Sequence, residues 1–111
     1  MSNLELLKKL IKIESISPND KGCFDVIKQE FDGLDFSFEE TNYKNISNLI
    51  IANGDKKNKT FCFLGHTDVV PPGPESEWTV PPFSGEIIDN KIYGRGAADM
   101  KGGVACFISA L

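Results

Sequence analysis

The sequence predicts an α/β fold, and three observations carry that prediction. Apolar residues recur at helical spacing near both ends of the chain, as Leu4, Leu7, Leu10 and Ile11 and again as Val104, Phe107, Ile108 and Leu111. Between them lie two uninterrupted apolar runs of strand length, 49–52 and 61–64. The second run opens into a Pro- and Gly-rich stretch, the pattern of a strand that delivers a functional loop. The chain has 111 residues, room for one core and not two.

Twelve basic against sixteen acidic residues give a net charge of −4, without the concentrated basic surface that a nucleic-acid grip needs. With 41% hydrophobic and 25% charged residues, the composition is that of a globular protein rather than a disordered one. No apolar run approaches the ~18 residues of a membrane span. Met1 to Lys12 lacks the basic start and small-residue cleavage site of a signal peptide. The cytoplasm is therefore the expected location.

The first helix opens on Ser2 and Glu5, which have the spacing of a capping box, and leaves Lys8, Lys9 and Lys12 for solvent. Ser17-Pro18-Asn19-Asp20 stops it and caps a second helix bearing Cys23, Phe24, Ile27 and Phe31, which ends near Gly33. Phe36 and Phe38 alternate with Asp35, Ser37 and Glu39, as in a half-exposed strand. Leu49-Ile50-Ile51-Ala52 and Thr60-Phe61-Cys62-Phe63-Leu64 lack polar alternation and predict strands covered on both faces. Gly65 through Ser84 is a long loop holding the only tryptophan, Trp78. A hairpin follows, Glu86-Ile87-Ile88 and Lys91-Ile92-Tyr93 around Asp89-Asn90. The last helix begins after Gly102-Gly103, and its pattern is still in stride at Leu111 with no C-cap signal. The chain is expected to be a piece of a longer protein.

Three cysteines, Cys23, Cys62 and Cys106, are too few and too scattered for a disulfide framework or a Cys-rich zinc site, and are expected to be buried hydrophobes. A Cys62–His66 nucleophile pair is discounted, because four residues of strand separate the side chains by about 13 Å.

His66, the only histidine, stands in Gly65-His66-Thr67-Asp68, directly after a predicted strand. In open α/β sheets ligands gather beyond the carboxyl ends of strands, so His66 and Asp68, two apart in extended chain, can face one cavity. Alone, such a pair reads more readily as a hydrogen-bonded His–Asp contact, and its position after a strand is what raises the functional reading. Asp99 stands in a second glycine-rich stretch, Gly94 through Gly103, just ahead of the last helix, where a carboxylate serves as an N-cap or as a ligand. The stretch lacks both the Walker spacing and the G-x-G-x-x-G order, which excludes a phosphate cradle. One imidazole and one carboxylate suit zinc, and also cobalt or manganese. A carboxylate can bridge two metals, and Asp68 would fix the imidazole tautomer. Two protein ligands are half a catalytic site.

Gly65-His66-Thr67-Asp68-Val69-Val70-Pro71-Pro72-Gly73, Trp78, Pro82-Phe83 and Tyr93-Gly94-Arg95-Gly96-Ala97-Ala98-Asp99-Met100-Lys101-Gly102-Gly103 resemble the M20 family of metallopeptidases and deacylases. Pro71-Pro72-Gly73 and Ala97-Ala98 resemble its desuccinylating members more than its deacetylating ones, which have Thr-Ala before the aspartate. The resemblance implies a zinc-peptidase-like catalytic domain with a mixed sheet and helices on its faces, truncated here, with residues 1–111 as its N-terminal part. It implies His66 as ligand to one zinc, Asp99 as the carboxylate bridging two, Asp68 as the active-site aspartate, and a cis peptide bond after Asp99.

The implied reaction is hydrolysis of N-succinyl-LL-2,6-diaminopimelate to succinate and LL-2,6-diaminopimelate, a step of lysine and cell-wall precursor synthesis. The implied partners are that small-molecule substrate and a second copy in a homodimer. The family's general-base glutamate, its remaining ligands and its lid and dimerisation domain lie beyond the matched motifs. Glu39-Glu40 precede His66 on an exposed strand and do not replace that glutamate. The 111-residue chain alone is expected to be inactive. A deacylase of another N-acyl amino acid and a non-catalytic metal-binding or interaction module remain as alternatives. Arg95, the only arginine, invites a bidentate contact with the succinyl carboxylate but is expected rather to pair with a nearby acid, and Trp78 to line the cavity or cover the core.

Overall fold

The computed structural model describes residues 2–111, and its helices and small antiparallel sheets bear out the predicted mixture of helix and strand. Helix α1 spans Asn3–Lys12, with Ser2 and Glu5 closing the expected capping box. The bond from Ser2 holds the Glu5 carboxyl below its ordinary pKa. Its buried face is Leu6, Leu10 and Ile11, rotated from the expected one, and Leu4 is exposed. Helix α2, Cys23–Gln29, receives its cap from Asp20, whose carboxylate accepts from the Gly22 and Phe24 amides. Cys23, Ile27 and Phe31 close with Leu6, Leu10, Val104 and Ala105 into one core.

Strands β1 (Ser37–Tyr43) and β2 (Ile46–Ala52) form an antiparallel hairpin that pairs Ser37 with Ala52 and Tyr43 with Ile46. This corrects the expectation of a doubly covered strand over 49–52. Leu49 and Ile51 pack toward the core, while Ile50 is half exposed. The segment 60–64 is extended but pairs with no strand among the described residues, and Phe61 and Leu64 are 85% and 89% exposed. Its apolar side chains find one helix instead. Phe63 and Phe61 stack on Phe107, with ring centroids 4.2 and 6.2 Å apart. An apolar run reports that a segment seeks cover; it does not specify a sheet.

The tight hairpin forms as expected. β3 (Ile87–Ile88) and β4 (Lys91–Ile92) are joined by Asp89 and Asn90, with φ of 48° and 60°, as a type I′ turn requires. Helix α3, Gly102–Ser109, buries Val104 and Ala105 and lies against α1. An open apolar groove of about 620 Å³ runs between α2, α3, β2 and the segment 63–68. The radius of gyration, 15.0 Å, exceeds the about 13 Å of a closed domain of this length, in keeping with that open face. Among the described residues no helix is long and apolar enough to cross a membrane.

All three cysteines are free, but only Cys23 is buried, which corrects the expectation for Cys62 and Cys106. Burial pushes the Cys23 thiol pKa up, so its reactive thiolate is scarce as well as inaccessible. Iodoacetamide is expected to modify Cys62 and Cys106 at least about 100-fold faster than Cys23 at pH 8, read by peptide mass spectrometry. Equal rates at the three thiols would contradict this packing.

Candidate metal centre

Two loops meet at the candidate site, and the end of α1 holds both. The chain leaving α1 pairs with the first loop: Ser17 N–H donates to Val69 O at 3.0 Å, and Val69 N–H donates to Ser15 O at 2.9 Å. The buried Ser15 hydroxyl donates to Thr67 O at 2.8 Å, fixing the backbone between His66 and Asp68.

The second loop, carrying Asp99, is held by Lys101. That side chain is fully buried, and its ammonium donates to Leu10 O at 2.7 Å and Ile13 O at 2.8 Å. These carbonyls close the C-terminal end of α1, where a cation also meets the helix dipole. Burial lowers the Lys101 pKa from its ordinary value. Gly96 begins the turn with φ of 85°, and a Cβ there would stand 2.5 Å from Val69 Cγ1. Only glycine lets the two loops approach so closely.

Asp99 is not an N-cap. Its backbone is non-helical, the Asp99–Met100 peptide is cis as the family resemblance implied, and α3 starts without a side-chain cap. The Asp99 carboxylate is 90% exposed and faces His66, with Oδ1 3.2 Å from Nε2. On the other side of the ring, Nδ1 stands 3.1 Å from Asp68 Oδ1 and 3.1 Å from the Asp68 carbonyl oxygen. The three residues singled out in the sequence are thus neighbours, in the order Asp68, His66, Asp99.

The geometry has an electrostatic consequence. A neutral imidazole has one N–H to give. If Nδ1 donates to Asp68, Nε2 turns a lone pair toward a carboxylate oxygen 3.2 Å away. Positive charge between the two relieves that opposition, as a ring proton or as a metal ion. Two donors on one tetrahedral zinc, each about 2.0–2.1 Å from it, stand about 3.3 Å apart, so the observed spacing fits a shared ion. Among the described residues no group of three or more His, Cys, Asp and Glu side chains is gathered to enclose a metal, so the donor set is incomplete within them.

His66, Asp68 and Asp99 line a cavity of about 230 Å³ together with Val70, Arg95 and Gly96. Arg95 makes no ion pair among the described residues, which corrects the expectation of an acid partner. Its guanidinium lies over Trp78, 5.2 Å from the ring centroid, and Trp78 Nε1–H donates to Pro72 O at 2.9 Å. Trp78 therefore supports a cavity residue from behind. The sequence showed Arg95 and Trp78 but not their contact, which joins the long loop to the glycine-rich stretch across the β3–β4 hairpin.

Residues 62–111 match the family model described as peptidase family M20/M25/M40. Those residues are thus similar to the M20 family. Similarity to individual proteins extends along nearly the whole chain. The chain is 49% identical to a succinyl-diaminopimelate desuccinylase of Rhodospirillum centenum over 97% of its own length and 29% of that protein's. It is 48% identical to the protein of the same name from Psychromonas ingrahamii, over 97% and 28% of the two lengths. Its fold is similar to the crystal structure of an M20 family metallo-carboxypeptidase, Sso-CP2, from Sulfolobus solfataricus. That match has a TM-score of 0.82 at 30% identity, covering 99% of this chain and 26% of the other. The chain spans under a third of the length of the curated relatives it matches.

Proposed function

We propose that the chain is the N-terminal part of the catalytic domain of a metal-dependent amide hydrolase that removes succinate from N-succinyl-LL-2,6-diaminopimelate in the cytoplasm. The single observation that carries the metal site is the imidazole of His66 set between two carboxylates, with Asp99 turned outward and not capping its helix. The substrate assignment is supported by the names of relatives at 48–49% identity.

In this reading His66 Nε2 and the Asp99 carboxylate would help hold a pair of zinc ions, with cobalt or manganese as substitutes. Bound there, zinc supplies Lewis-acid polarisation of the amide carbonyl and a water acidic enough to attack at neutral pH. Asp68 accepts the Nδ1 proton of His66, which fixes the tautomer, aims Nε2 and raises its basicity. Ser15 and Lys101 hold the two loops in register from the end of α1. The general-base glutamate, the remaining ligands and the dimer-forming lid come from other parts of the complete protein. The 111-residue chain alone is expected to turn over no substrate.

The test is a comparison of substrates with the complete, zinc-loaded protein. The expected result is release of succinate from N-succinyl-LL-2,6-diaminopimelate with a kcat/KM at least about 100-fold above that for N-acetylornithine, the scale on which unpaired polar groups discriminate. A preference for N-acetylornithine would move the protein to another deacylase of the family. No amide hydrolysis with metal bound would refute the enzymatic reading.

A further inference from the structure

We propose that Arg95 is a specificity-determining residue whose guanidinium binds a carboxylate of the substrate in the cavity it shares with His66, Asp68 and Asp99. The inference rests on the amide-hydrolase reading above and extends it to a residue and a recognised group.

Arg95 is the only arginine in the chain, and it stands on the wall of the candidate metal cavity. Among the described residues the face of Trp78 is what its charge meets. No acid lies within ion-pair distance, and Nε is buried without a hydrogen-bond acceptor. The two carboxylates that share the cavity are both turned to His66, at 3.1 and 3.2 Å. Among the described residues the donors of the guanidinium therefore meet no acceptor.

The side chain is nevertheless held in place. Arg95 N–H donates to Pro82 O at 2.7 Å, and the guanidinium rests on the Trp78 ring, itself anchored to Pro72. Stacking on an aromatic face leaves the in-plane N–H groups of a guanidinium free to donate. A planar fork fixed beside a reaction centre, with no acid of its own, is matched to a bidentate carboxylate.

The substrate class supplies such groups on both sides of the scissile amide. One is at the end of the succinyl arm; the others are on the diaminopimelate arm. Either gives the same contact, and paired analogues separate them.

The experiment uses the complete, zinc-loaded protein as wild type, R95K and R95Q. Substrates are N-succinyl-LL-2,6-diaminopimelate, the N-butyryl analogue that lacks the acyl carboxylate, and the N-succinyl analogue with the adjacent amine-side carboxylate converted to carboxamide. R95Q is expected to raise KM about 10–100-fold for the parent substrate while kcat changes by less than about threefold, the scale of a lost charge-assisted contact. It is expected to leave unchanged the KM for the analogue that lacks the recognised carboxylate. R95K keeps the charge without the fork and is expected to fall between.

Equal losses on all three substrates, or an unchanged KM on the parent, would overturn the proposal. If wild type hydrolyses none of them, the enzymatic reading fails separately. Calorimetric binding of succinate and of LL-2,6-diaminopimelate then decides Arg95: weaker binding of one of them by R95Q supports the role, and binding equal to wild type, or none by wild type, overturns it.

Discussion

Replacing His66 by alanine in the complete protein is expected to lower kcat/KM for the succinylated substrate by at least about 1,000-fold. Lewis-acid assistance is worth several kcal/mol of transition-state charge stabilisation, and each ~1.4 kcal/mol is a factor of ten. The same variant is expected to lose bound metal, read by elemental analysis. Its stability should move by no more than about 0.5 kcal/mol, because the ring is half exposed and packs into no core. Asp68→Asn is the graded comparison. It keeps the shape but weakens the acceptor at Nδ1, and second-shell losses of this kind cost about 10–100-fold in metal affinity or activity. A His66→Ala enzyme with full metal content and near-normal rate would remove the imidazole from the mechanism.

Lys101→Met is expected to destabilise the fold by about 2–3 kcal/mol without touching the cavity. The variant removes the ammonium from the carbonyls of Leu10 and Ile13, at 2.7 and 2.8 Å, and leaves each with a single donor, the backbone N–H of Ile13 and of Ser15. A hydrogen bond to a charged group is worth ~1.5–3 kcal/mol, and two are lost. The gain from no longer burying a cation offsets part of this, and the lowered pKa of Lys101 shows that burial does disfavour its charge. Denaturant unfolding of the complete protein checks the value. A change below about 0.5 kcal/mol would mean that the ammonium bonds contribute nothing net. Because Lys101 anchors the turn that carries Asp99, weaker metal retention should accompany the loss.

Local chemistry made the capped and turned elements legible in the sequence. Ser2 with Glu5, Asp20 before Cys23 and Asp89-Asn90 between isoleucines each act within a few residues, and each forms as read. The strand runs were less legible. Leu49–Ala52 and Thr60–Leu64 are apolar for different reasons, one packing a hairpin on helices and the other leaning on Phe107. Hydrophobicity alone does not distinguish those partners. His66, Asp68 and Asp99 were named from motif and position, and the structure brings each aspartate within 3.2 Å of the His66 ring. Lys101 was not foreseen. A lysine ahead of two glycines reads as solvated, and its burial depends on carbonyls that α1 presents about ninety residues earlier. The Arg95–Trp78 contact was hidden for the same reason, since nothing in a Pro-rich loop fixes what its tryptophan will face.

The central claim is that His66 and Asp99 hold metal. A crystal structure of the complete, zinc-loaded protein, with anomalous data collected on either side of the zinc edge, tests it most directly. The expected result is a zinc peak in direct contact with both His66 Nε2 and the Asp99 carboxylate, with Asp68 still bonded to Nδ1. Zinc bound elsewhere, with Nε2 and Asp99 in contact only with each other, would contradict it.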